Sequence, residues 1–155
     1  MDADLARTAR RTLETVLNAA VATRKPDGQP WNSPVFFACA GSLTVYWCSQ
    51  RNAAHSENIR ADARVFIVIF NSTEADRTGS AVYIEAKANE VVDTAEIAAA
   101  LDALAKRRGE SPKPVDDFVG ADSQRVYAAV ATRVWTNVVH QRDGHVMDER
   151  VEIVL

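Results

Sequence analysis

Turn signals set between short β-type runs constrain this chain more than any other feature. Pro26-Asp27-Gly28 separates a small, β-tolerant run at Ala19–Thr23 from one starting at Pro30. Gly41-Ser42 separates that second run (Pro30–Ala40) from Leu43–Ser49, and Asp143-Gly144 separates Val126–His140 from Glu149–Leu155. Links this short join antiparallel neighbours, because a parallel pair needs a crossover of a dozen or more residues. The expectation is an antiparallel meander near the N-terminus and a further hairpin at the C-terminus.

The remaining segments are read around that sheet. Val65–Phe70 is an unbroken apolar run and is expected to be a strand buried on both faces. After a polar loop over Asn71–Ser80, Ala81–Val92 sets Val82, Ile84, Ala86 and Ala88 against Tyr83, Glu85, Lys87 and Asn89, a strand with one wet face. Helical spacing over residues 4–18 carries Leu5, Ala9, Thr12, Leu13, Val16 and Leu17 on one side. A short helix is expected over Ala53–Ala61, with Asn52 as its cap. A third runs over Thr94–Arg108, opened by Asp93 and Glu96 and stopped by Gly109. About six strands and three helices with antiparallel connections predict an α+β, six-stranded barrel forming one domain over residues 1–155.

Composition removes several functions. The net charge of -3, from 18 basic and 21 acidic side chains, leaves no footprint for nucleic acid. Lys106-Arg107-Arg108, the densest basic cluster, sits where cations suit a helix C-terminus and reads as a solvated helix end. No apolar run approaches the roughly 18 residues of a membrane span, and the charged N-terminus lacks the apolar core of a signal peptide. With only Cys39 and Cys48 present, a cytoplasmic protein with reduced thiols is expected. The three histidines lack the spacing of a zinc motif, so no metal is expected. There is no G-x-G-x-x-G, no P-loop and no nucleophile elbow around Ser33, Ser49 or Ser56. Asp116-Asp117 reads as a helix start, and His140 and His145 as a solvated hairpin.

The stretch from Trp47 to Arg60 looks functional. A strand ends in the Ser49 hydroxyl, a polar turn carries Arg51 and Asn52, and a short helix bears His55, Ser56 and Asn58. Helix N–H groups, hydroxyls, amides and a cation suit a phosphate monoester, although a capped surface helix would look much the same. A second polar segment, Trp31-Asn32-Ser33-Pro34-Val35-Phe36, opens a strand in which Pro34 marks an edge or a ligand approach. A hairpin turning at 41–42 would set Val35 opposite Cys48, so that Ser33 lies near Ser49.

These two segments, followed by His55-x-x-Asn58-Ile59 and Asp62-Ala-Arg-Val-Phe-Ile-Val, resemble the FMN-binding split-barrel family, the relatives of pyridoxamine 5'-phosphate oxidase. The likeness covers residues 10–92 well and the C-terminal strands more loosely. It implies a homodimer with flavin sites at the subunit interface and FMN as cofactor. The strand Ser33–Phe36 would run along the isoalloxazine, mainly through backbone groups. Ser49 would meet the phosphate, with His55 in the place of a family lysine or arginine and Arg51 as a source of charge. Trp135 and Asn137 would approach the flavin from the other subunit. The expected cofactor set is Asn32, Ser33, Pro34, Val35, Ser49, Arg51, Asn52, His55 and Trp135. Dimerisation would also cover Phe36, Phe37, Tyr46 and Trp47, more apolar surface than one small sheet hides.

The departures bear on activity. Ser33 stands where the oxidase has an arginine. Arg133 matches the arginine of its Arg-x-His pair, but Trp135 stands at the histidine, and the chain ends Arg150-Val-Glu-Ile-Val-Leu instead of in an Arg-Leu-Ala-Pro-like sequence. The oxidase reaction itself is therefore not expected. Two readings remain: an FMN-dependent oxidoreductase acting on an unidentified small molecule, and a non-catalytic carrier of flavin or haem. The deazaflavin F420 is a further candidate, but its acidic tail wants a basic groove that the sequence does not show.

Overall fold

The computed structural model describes residues 2–74 and 80–155, and half of the loop expected over Asn71–Ser80 lies outside the described residues. In chain order the elements are α1 (Asp2–Thr15), β1 (Asn18–Arg24), β2 (Pro30–Phe36), β3 (Ala38–Ala40), β4 (Thr44–Gln50), α2 (Ala54–Ala61), β5 (Arg64–Phe70), β6 (Ala81–Glu90), α3 (Thr94–Arg108), a 3-10 turn (Val115–Phe118), β7 (Gln124–Arg142) and β8 (His145–Glu152). The strand order is β2-β1-β5-β6-β7-β4-β3, with β8 paired to β7. All the pairings are antiparallel.

β2 and β3 stand at opposite ends of that order, yet one residue, Phe37, separates them in the chain. The sheet must therefore roll up until its two ends meet, giving an α+β split barrel. Six strands form its wall, while β3 extends the edge beside β4 and β8 extends β7. Inward side chains alternate along each strand and meet in one core that includes Val21, Trp47, Ile67, Ile84 and Tyr127. Ala9 and Leu13 of α1 and Ile59 of α2 join that core. α3 covers the outside of β3, β4 and β7 over a second cluster with Ile97, Leu101, Phe118 and Val126.

Local signals account for much of this. Asp93 accepts the N–H of Glu96 at 2.8 Å, and Gly109 ends α3 at φ 72, where a side chain would be strained. Asp143 (φ 52) and Gly144 (φ 77) make the left-handed two-residue turn that suits strand twist. Among the described residues, no helix is long and apolar enough to cross a membrane.

Several expectations are corrected. α1 ends at Thr15 rather than at residue 18, because Leu17 already meets the barrel, its carbonyl accepting the Phe37 N–H at 3.4 Å. The β3–β4 loop has three residues, with Leu43 at φ 78 so that its side chain reaches the core. The ladder is thereby set at Ala38 opposite Tyr46, one residue off the expected register, and it stops there. β5 is not buried on both faces: Val65, Ile67 and Ile69 point inward, while Phe66 and Val68 stay partly exposed and Phe70 is 51% exposed. Among the described residues, Phe66 of that face meets the rings of Tyr83 and Trp135. The basic end of α3 is not wholly solvated either. Arg107 donates to the Leu13 carbonyl at 2.8 Å and to the Val16 carbonyl, and its guanidinium lies 4.6 Å from the Phe37 ring centre.

Arg107 thus fastens the end of α1 to the point where the barrel closes. Its replacement by Met keeps the apolar stem but strips two carbonyls of their donor, and should cost about 1–3 kcal/mol. Urea unfolding checks this. A change within a few tenths of a kcal/mol would show that the clasp is dispensable.

Candidate functional site

The closure at Phe37 leaves a gap. β2 has β1 on one side and no ladder on the other, and β4 beyond Tyr46 is paired only to β7. These two free edges run side by side without hydrogen-bonding as a sheet. Pro34, which lacks an N–H, sits on the free strand, as its chemistry prefers. Pairing with β1 puts Ser33 beside Val21 and Val35 beside Ala19, on the inner side of β2, and both are buried. Asn32 and Pro34 are exposed.

α2 seats itself near the same end of the barrel. Asn58 donates to the Thr23 hydroxyl at 3.0 Å in a buried contact, and Ile59 enters the core. Arg60 donates to the carbonyl of Arg51 at 2.7 Å, tying the helix to the turn that leads into it. This seating brings His55 to Ser49, with the hydroxyl and Nε2 2.6 Å apart. His55 is half-buried, and that burial pushes its imidazole below the ordinary value of 6.5. The ring is neutral at pH 7 and shares a single hydrogen bond with Ser49.

Other expected residues fare differently. Asn52 does not cap α2: it lies within the turn closed by the Ala53 N–H and the Gln50 carbonyl, one position early. Ala53 takes the cap position, and no side chain caps the helix. The side chain of Arg51 is half-exposed, with its Nε 3.9 Å from Glu90, and its own N–H bonds the Ser123 carbonyl at 2.8 Å. Glu90 also holds the buried Arg125, 2.9 Å away and directly across the ladder from Ser49. Trp135 lies elsewhere, outside the wall, paired with Tyr83 and 6.4 Å from the Phe66 ring. Asn137 accepts the Ala81 N–H at 2.7 Å. Phe37 and Trp47, expected at an open face, are fully buried. Tyr46 bonds Glu96 at 3.0 Å, and Phe36 lies under the Arg108 guanidinium.

Two residues of the polar segments outside the expected cofactor set also contribute. The Trp31 indole, 42% exposed, donates to the Ser33 hydroxyl at 3.1 Å. The Ser56 hydroxyl, in the first turn of α2, is fully buried without a partner. A shallow concavity of about 560 Å3 lies elsewhere, lined by Ala22, Val65, Phe66 and Ala86 together with Arg24, Arg64 and Lys87. None of the expected site residues lines it. At its edge Asp62 is held far below the usual carboxylate range, first by Arg64 and then by Arg24.

The family model of pyridoxamine 5'-phosphate oxidase matches residues 5–138. The chain belongs to this family. No curated protein sequence matches it significantly. Solved structures share its fold. A proposed 5-nitroimidazole antibiotic resistance protein from Bacteroides thetaiotaomicron superposes with a TM-score of 0.71 at 14% identity, over 84% of this chain and 81% of that one. A haem-binding protein from Mycobacterium smegmatis gives 0.65 at 23% identity, over 97% of this chain but only 58% of its own length. A FAD-binding protein from Mesorhizobium loti gives 0.65 at 19% identity, over 84% of this chain and 92% of that one.

The depressed imidazole makes a pH prediction. Because the folded value lies below the unfolded one, the unfolded chain binds the proton first. Stability from this site is therefore complete above about pH 6.5 and is lost as pH falls through the folded value. His55→Gln should flatten that part of the stability profile in denaturant titrations between pH 5 and 8. An unchanged slope would remove His55 from the account.

Proposed function

We propose that this chain is an FMN-binding protein, that its phosphate site is the gap between β2 and β4, and that it acts as an oxidoreductase on a small molecule. The observation that carries the reading is the Ser49–His55 contact at the uncapped first turn of α2. Free N–H groups at a helix N-terminus, two hydroxyls and an imidazole are a donor set that a phosphate monoester satisfies. The unpartnered Ser56 hydroxyl on the same turn fits an acceptor-rich guest. The free edge of β2 offers backbone groups along Ser33–Phe36 to a planar heterocycle, and Trp31 offers a ring beside it.

Bound FMN would supply the redox chemistry, and the protein would hold and orient it. In this reading Ser49 and the α2 amides grip the phosphate, while His55 gains a proton as the dianion arrives. Arg51 contributes less than its charge suggests, being drawn toward Glu90. The protein is a cytoplasmic homodimer. The second subunit covers the open aromatic face of Phe66, Tyr83 and Trp135, rather than the residues first expected, and thereby brings Trp135 toward the other protomer's flavin. The pyridoxamine 5'-phosphate oxidase reaction is not part of the proposal. Arg133 is engaged by Glu152 at 2.8 Å and lies over Trp135, where the oxidase has its histidine.

The purified protein should be yellow, release FMN on acid denaturation and run as a dimer in light scattering. A Soret band would replace flavin by haem. Ser49→Ala combined with His55→Ala should abolish FMN retention with the fold intact by circular dichroism. Because proton uptake accompanies binding, FMN affinity should fall as pH rises from 6 to 8, and His55→Gln should blunt that fall. Flavin retention unaffected by the double change would end the phosphate assignment.

A further inference from the structure

We propose that the cavity beneath the C-terminal half of α3 is a second small-molecule site, built for a monocarboxylate with a compact apolar body. The cavity holds about 260 Å3, just under the ~300–1,000 Å3 typical of ligand sites, which restricts it to small guests. Its floor is apolar: Leu101, Leu104 and Ala105 from α3, Phe118 from the 3-10 turn and the Cys48 thiol from β4. The exposed Arg108 and Lys113 also line it, with Glu110 and the neutral Ser111 and Gln124.

The charges are what turn a packing defect into a site. Arg108 and Lys113 both act on the Cys48 thiol, which burial holds up at about 11, so the two cations of the lining face a single anion, Glu110. Among the described residues, neither cation pairs with a carboxylate, and Arg108 meets only the Phe36 ring, 4.3 Å from its centre. Service to the helix dipole does not explain both. The Gly109 N–H already meets the Ala105 and Lys106 carbonyls, and Lys113 lies beyond the helix. Pro112 and Pro114 fix the backbone on either side of it. With Glu110 counted, the lining carries a net single positive charge, which matches a monocarboxylate better than a phosphate dianion. An apolar body would displace water from Leu101, Leu104 and Phe118, while its carboxylate lies between the two cations.

trans-Cinnamate and its uncharged amide test this by calorimetry on the whole protein. The acid should bind at millimolar concentration or below, and the amide about tenfold more weakly, as expected from losing a charge-assisted contact. Arg108→Gln with Lys113→Gln should weaken the acid by a similar factor while leaving the melting temperature unchanged. In a Cys39→Ser background, cinnamate should slow the reaction of Cys48 with neutral methyl methanethiosulfonate. Ser49→Ala with His55→Ala should leave all of this untouched, which separates the cavity from the proposed flavin site. No binding at millimolar cinnamate, equal binding of acid and amide, or binding that survives loss of both cations would overturn the proposal.

Discussion

The passage of the chain through Phe37 governs the rest of this molecule. On either side of that residue the backbone belongs to opposite ends of one sheet, so the barrel closes through a covalent link instead of a ladder. The cost of leaving that seam unzipped is met by packing. Phe37 is fully buried, its N–H reaches Leu17, and Arg107 lies across its ring while holding the end of α1. An ordinary β-hairpin would have paired β2 with β4 along their whole length and left no free edges. The seam is therefore both the structural weak point and the source of the unpaired backbone groups that a planar ligand can use.

Placement of α2 follows from the same closure. The helix has eight residues, too few to persist alone in water, and it is held by Asn58 on Thr23, by Ile59 in the core and by Arg60 on the preceding turn. All three holds fall in its second half. The first turn is left uncapped, and its buried Ser56 hydroxyl has no partner in the protein. A capped α2 would be more stable by about 1 kcal/mol and would have fewer donors to give away. Stability surrendered at one end of a short helix is a recurring mark of a binding position.

Much of this was legible in the residues, and the failures have specific causes. Asp93 and Gly109 fix α3 to the residue because caps and left-handed stops are local chemistry. The sheet class followed from turn composition, and the closeness of Ser49 to His55 from their places at the end of β4 and the start of α2. The exact register did not. It depends on Leu43 adopting a left-handed backbone for the sake of a buried side chain, a tertiary demand that overrides propensity. Nor could sequence tell that Arg107 would turn inward while Lys106 stayed out, or that α3 would lie over β4 rather than β5. A run such as Val65–Phe70 is equally apolar whether its second face meets a helix or another molecule. The partner's identity is not written in the strand itself.

The distribution of charge sets how selective the gap between β2 and β4 can be. Arg125 is spent on Glu90 and on backbone carbonyls, Arg60 and Arg107 on carbonyls, and Arg24 and Arg64 on Asp62. With Arg51 drawn toward Glu90, what remains at Ser49 is a neutral imidazole, hydroxyls and amide N–H groups. Such donors discriminate by position, since their attraction decays within hydrogen-bond reach, whereas a lysine would draw any anion from several ångströms away. A site of this kind gives up long-range attraction for geometry. It holds an anion well only when the rest of the ligand, its ring along β2 and its underside on the wall, is also correctly placed.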